Sequence, residues 1–224
     1  LAALSLLLFQ NRCRLKAAWR APFSSALLHR GLRYGIPLAL GNLAYWGLTS
    51  ADRFFLKGYA GLEQLGIYSM GITFGAAALV FQNIFSTVWT PHIFRMVEEN
   101  APMPHISATA ESAAALLAAT VCLTGIFSPL VSGLLPETYA SVRFIVVSCM
   151  LPPLFYTLTE ISGIGLNVVR KTRLITLANL TALSANLLLL RLLVPSEGAR
   201  GAAVACAASF WLFFVLKTES SSRL

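Results

Sequence analysis

Apolar residues gather into six long stretches separated by short polar loops: Tyr34–Leu56, Leu65–Trp89, Ser112–Leu135, Phe144–Leu166, Leu174–Val194 and Gly201–Leu216. A helix needs about 20 predominantly apolar residues to cross the hydrocarbon core of a bilayer. Five stretches meet that length and the last falls a little short. The pattern predicts an all-α polytopic membrane protein with a six-helix transmembrane lobe at residues 34–216 and a tail at 217–224.

Within these stretches the polar residues are periodic. In the first, Asn42, Tyr45, Thr49 and Asp52 recur at three- and four-residue spacing, which puts them on one side of a helix. In the fourth, Tyr156, Glu160, Gly163 and Asn167 do the same, one turn after Pro152 and Pro153. The fifth carries Thr172, Thr176, Asn179 and Asn186, and the second Gln82, Ser86 and Trp89. A polar stripe facing lipid is costly, so each predicts a protein interior or a hydrated cavity. Gly71 and Gly75 form a GxxxG step followed by Ala76, Ala77 and Ala78, a pattern that lets two helix backbones approach closely.

Composition strengthens the membrane reading, since 57% of the residues are hydrophobic and only 12% charged. The net charge of +8 acts first as an orientation signal. Twelve basic residues fall on the side that carries the N-terminal loop: Arg12, Arg14, Lys16, Arg20, Arg30, Arg33, Arg95, Arg170, Lys171, Arg173, Lys217 and Arg223. Five fall on the other: Arg53, Lys57, Arg143, Arg191 and Arg200. The positive-inside rule makes the first side cytoplasmic, with the N-terminal loop and the C-terminus both inward.

Residues 1–10 are almost wholly apolar and precede the basic segment, the reverse of a secretory signal. They predict the cytoplasmic end of an earlier, truncated transmembrane helix. Residues 11–33 then form a basic loop with Trp19, Phe23, Leu27 and Leu28, suited to an anionic lipid surface or to a linker between two lobes.

Cys13, Cys122, Cys149 and Cys206 show no close pairing, and His29, His92 and His105 are scattered, so neither a disulfide framework nor a metal site is indicated. No paired carboxylates, nucleophile–base grouping or phosphate-binding glycine loop stands out. The expectation is a protein that is not an enzyme and that uses no cofactor and no nucleic acid.

The run RYGIPLALGNLAYWGLTSADRFFLKGYAGLEQLGIYSMG, Arg33–Gly71, resembles the start of the second half of bacterial polysaccharide flippases, which belong to the multidrug/oligosaccharidyl-lipid/polysaccharide exporter superfamily. Gly35, Ile36 and Pro37 match the family's opening of a seventh helix. Ser50, Asp52, Arg53, Phe54, Phe55 and Leu56 match its exit, and Gly61, Leu65, Gly66 and Tyr68 match the opening of an eighth. Looser matches continue in order through PETYASVRFIVVSCMLPPLFYTL, GIGLNVVRKT and VPSEGARGAAVACAASF.

The resemblance implies the second half of a twelve-helix, two-lobe transporter of the bacterial inner membrane. Such a protein moves undecaprenyl-pyrophosphate-linked oligosaccharide for O-antigen and lipopolysaccharide synthesis by alternating access. It also implies partners: the lipid-linked oligosaccharide, membrane lipids, a missing N-terminal six-helix lobe, and polysaccharide polymerase and ligase machinery. A drug or cation antiporter of the same superfamily, or a non-transporting half-length remnant or assembly protein, are the alternatives.

Individual residues carry separate expectations. Asp52 should find a partner on a neighbouring helix and Arg53 should sit at a cavity mouth, where a guanidinium could meet a phosphate. Glu160, an acid well inside a span, is a candidate for proton or cation coupling, or is shielded by polar neighbours. Arg170 and Lys171, with Arg173, could receive the pyrophosphate at the cytoplasmic face, and Lys171 with Thr172 matches the family pattern. With Asn42, Tyr45, Thr49, Gln82, Tyr156, Asn167, Asn179 and Asn186 these are the candidate cavity and substrate residues.

Overall fold

The computed structural model describes residues 25–99, 108–109, 111–120, 122–123, 126, 142, 144–163 and 172–223. These residues are almost entirely helical, and no strand occurs among them. The main helices are α1 (Ser25–Phe55), α2 (Gly61–Glu98), α3 (Val146–Ser162), α4 (Thr172–Glu197) and α5 (Ala199–Ser222), with a π-helical turn, Leu56–Ala60, between α1 and α2. The expected helix end at 1–10, most of the basic loop, and Asn167, Arg170 and Lys171 lie outside the described residues.

Three runs are long and apolar enough to cross a membrane: Gly31–Met96, Arg173–Glu197 and Ala199–Ser222. Helix α3 is apolar but short, at 17 residues. Of the expected third span, residues 111–120 are helical and Leu117 is buried in a cluster with Trp89, Ile93 and Leu154, while 127–135 lie outside the described residues. The described residues therefore fit a membrane protein without displaying all six expected crossings.

Several expected limits move outward. Helix α1 starts at Ser25, inside the segment expected to be a loop. Helix α5 continues to Ser222, so residues 217–222 belong to the last helix and not to a tail. Lys217 lies within that helix with its side chain buried, at 5% exposure. The contact pattern also divides α1: Leu1–Ile36 is one unit and Pro37–Leu224 another. In the first, Leu28, Leu32 and Ile36 are exposed. All that follows concerns the second.

The longest run, 66 residues, is not straight. The π-helical turn widens the end of α1, the Gly61 N–H bonds back to the Leu56 carbonyl, and Gly61 takes φ +84°. Only glycine adopts that conformation at little cost. The chain folds back, so that Tyr68 on α2 reaches Asp52 on α1, sixteen residues earlier. A continuous helix would hold the two about 24 Å apart. A second positive φ, +55° at Gly198, turns α4 into α5. Here the Ala199 N–H, an unpaired donor at the start of α5, bonds to Gln64 Oε1 of α2 at 3.1 Å.

Small residues set how closely the helices pack. A Cβ on Gly75 would stand 2.9 Å from the Cys149 carbonyl oxygen, and one on Gly71 3.1 Å from Ile145 Cδ1, so the GxxxG step is where α2 meets the start of α3. The Cys149 carbonyl lies there for a chemical reason: Pro153, four residues on, has no N–H to give it. Gly41 admits α4 against α1, where Thr176 Oγ1 donates to the Pro37 carbonyl at 2.8 Å and Asn179 Nδ2 to the Gly41 carbonyl at 3.1 Å. Ala202, Ala203, Ala205 and Cys206 form the inner face of α5.

Gly75→Val should therefore destabilise the fold by about 1–3 kcal/mol through overpacking against a backbone carbonyl that cannot yield. Gly66→Ala, where a Cβ meets nothing within 4 Å, should be neutral. Thermal unfolding of the purified protein in detergent checks both, and equal effects would contradict this packing.

Candidate functional site

Two polar centres lie between the helices. The first forms where α1 folds back along α2. Asp52, 2% exposed, accepts hydrogen bonds from the Tyr68 hydroxyl and, at 2.8 Å, from the backbone N–H of Arg53. A carboxylate in an apolar surrounding is costly unless its oxygens are bonded, and these two donors supply both oxygens. A cavity of about 150 Å³ opens beside it. Tyr45, Thr49, Asp52, Arg53 and Gln82 from α1 and α2 contribute its polar lining, and Ile72, Leu79, Pro153 and Phe210 are among its apolar walls. Arg53 itself is exposed, so its guanidinium lies at the mouth of this space while Asp52 lies in its wall.

The second centre sits further along α2 and α3. The Ser86 hydroxyl donates to the Glu160 carboxylate, and the Trp89 indole N–H donates to the Glu160 carbonyl at 3.3 Å. Tyr156 lies one turn before Glu160 on the same helix. Its ring lies 5.2 Å from Tyr45 and 6.4 Å from Phe213. Tyr45, which lines the cavity together with Gln82, thus joins the two centres. From α5, the Lys217 amino group donates to Thr159 Oγ1 at 3.4 Å and lies 5.9 Å from the Tyr156 ring and 5.6 Å from that of Phe213. Its stem rests on Gly163, where a Cβ would come within 2.8 Å of Lys217 Cε.

The expected site residues therefore divide. Tyr45, Thr49, Asp52, Arg53 and Gln82 share the cavity, and Tyr156 and Glu160 share the second centre. Asn42 is exposed on the surface of α1, away from the cavity lining. Asn179 serves the α1–α4 contact. Asn186 is fully buried, and neither polar atom of its side chain has a hydrogen-bond partner among the described residues.

Two residues absent from the expected set hold key positions. Tyr68 was visible as part of the G-x-x-x-L-G-x-Y spacing, but pairing it with Asp52 requires knowing that the chain reverses at Gly61. Lys217 follows Phe210 and Phe213 at helical spacing on the buried face of α5, a continuation that its charge concealed. Among the described residues no group of three or more histidine, cysteine, aspartate or glutamate side chains could hold a metal ion. Comparison with protein-family models, curated proteins and solved structures gives no match to this chain.

The cavity wall yields a direct test. In a cysteine-free background, Thr49→Cys should react with a small hydrophilic thiol reagent, whereas Ala182→Cys, at a fully buried position between helices, should stay protected. Protection of both would make the space beside Asp52 a dry helix contact.

Proposed function

We propose that this chain is a transporter lobe that moves undecaprenyl-pyrophosphate-linked oligosaccharide from the cytoplasmic to the periplasmic leaflet of the bacterial inner membrane by alternating access, together with a preceding six-helix lobe. The observation that carries the reading is the cavity walled by α1, α2, α3 and α5, with a buried carboxylate and an exposed guanidinium on adjacent residues. A lobe built only to pack would fill that space with apolar side chains, whereas polar residues inside membrane-length helices mark pathways.

The resemblance of Arg33–Gly71 to polysaccharide flippases supplies the substrate class, and the excess of basic residues on one side supplies the orientation. In this reading Arg53 stands at the outer mouth, Arg170 and Lys171 at the inner one, and the pyrophosphate is taken up where the basic residues cluster. Polysaccharide polymerase and ligase would receive the product.

One observation favours a second reading. The space is small and mainly apolar-walled, with Asp52 as its buried acid, which suits a compact amphipathic cation and hence a drug or cation antiporter.

Transport by the full-length protein in reconstituted vesicles separates the two. Arg170→Gln with Lys171→Gln should lower flipping of a lipid-linked oligosaccharide at least tenfold while the protein still inserts, and Arg191→Gln with Arg200→Gln should leave it nearly unchanged. Efflux of a cationic dye without glycan flipping would decide for the antiporter.

A further inference from the structure

Asn186 is 0% exposed, and both its Oδ1 and its Nδ2 are without a hydrogen-bond partner among the described residues. Asn179, seven residues earlier on the same face of α4, leaves only its Oδ1 unbonded, because its Nδ2 donates to the Gly41 carbonyl. An unbonded amide away from solvent is heavily penalised, and native interiors nearly always give it a partner, from protein or from bound water.

The helix register shows what stands level with Asn186. Contacts between α1 and α4 advance together along the two helices: Thr176 at Pro37, Asn179 at Gly41, Leu183 at Gly47. The next turn brings Asn186 level with Ser50 and Ala51. Helix α5 runs back along α4 from the turn at Gly198, with Gly201 against the Leu193 carbonyl and Phe213 clustered with Ala182. That pairing sets Ser209 level with Asn186.

Both serines have hydrogen-bonding capacity to offer. Ser209, fully buried, gives its proton to the Ala205 carbonyl at 2.7 Å, which leaves its oxygen as an acceptor. Ser50 is half-buried, and the Trp46 carbonyl one turn back, an ordinary acceptor for a helical serine, already receives Thr49. The other side chains at this level are short: Ala51 on α1, Ala182 on α4, Ala202 and Ala205 on α5. Polar groups among short side chains are what a small polar guest between helices requires.

We propose that α1, α4 and α5 enclose a hydration site at Asn186, in which bound water is a structural ligand joining the three helices. One water accepts from Asn186 Nδ2 and donates to Ser209 Oγ; a second donates to Asn186 Oδ1 and accepts from the Ser50 hydroxyl. The guest is water and not an ion, because an unbonded donor and an unbonded acceptor on one amide call for a molecule that both accepts and donates. The α1–α4 contact is then direct at one end, through Thr176 and Asn179, and water-mediated at the other. The site depends on helix packing alone and not on what the lobe transports.

Radiolytic footprinting of the purified full chain in isotopically labelled water tests the site, since bound water releases hydroxyl radical beside side chains that bulk solvent does not reach. Leu190, one turn from Asn186, and Leu154, in the cluster between α2 and α3, are equally buried. Leu190 should nevertheless take up about tenfold more oxygen than Leu154. Asn186→Leu, which cannot bond to water, should remove that excess. If Asn186→Leu does not fold, Ser50→Ala with Ser209→Ala takes its place and should also remove it. Equal oxidation of the two leucines in the parent, or an excess that survives in the folded variant, would overturn the site.

Discussion

The hydrogen bond from Tyr68 to Asp52 is the contact on which the other helix positions depend. In the membrane setting proposed here, apolar side chains gain little by leaving lipid for one another, so close packing and hydrogen bonds between helices must hold the lobe together. Gly61 allows the chain to reverse, but a glycine hinge fixes no angle. The bond fixes it, tying α1 to α2 just beyond the turn and sheltering a carboxylate that would otherwise cost several kcal/mol. With the two arms set, Gly71 and Gly75 face α3, Gln64 reaches the start of α5, and the cavity opens beside Asp52.

The same constraint explains why polar residues do two kinds of work. Thr176 and Asn179 spend their donors on backbone carbonyls of α1 and are structural joints. Thr49 bonds to carbonyls of its own helix, which leaves it in the cavity wall without a cross-helix partner among the described residues. Glu160 differs from both, because its carboxylate accepts from a side-chain hydroxyl on α2, Ser86, and not from a backbone group.

Periodicity made part of this readable in advance. The apolar stretches located α1, α2, α4 and α5, and three- and four-residue spacing put Tyr45, Thr49 and Asp52 on one cavity wall. Helix ends were less legible, since hydropathy falls at the first charge while hydrogen bonding continues; Lys217 lies inside α5 for that reason. The polar stripes also looked alike on paper. Spacing says that Asn179 and Glu160 each face inward, but whether the inward neighbour is a glycine-exposed carbonyl, as at Gly41, or an open space depends on tertiary packing. Asn186 shows the limit, a buried amide whose spacing predicted a lining role and whose side chain has no hydrogen-bond partner among the described residues.

A double-mutant cycle across Asp52 and Tyr68 tests the central contact most directly, with stability of the purified full chain measured by reversible unfolding in mixed micelles. Asp52→Asn and Tyr68→Phe should each destabilise, and the double variant should lose less than the sum by about 1 kcal/mol or more. Strict additivity would show that the two side chains do not hold the hairpin, and that α1 and α2 are positioned by something else.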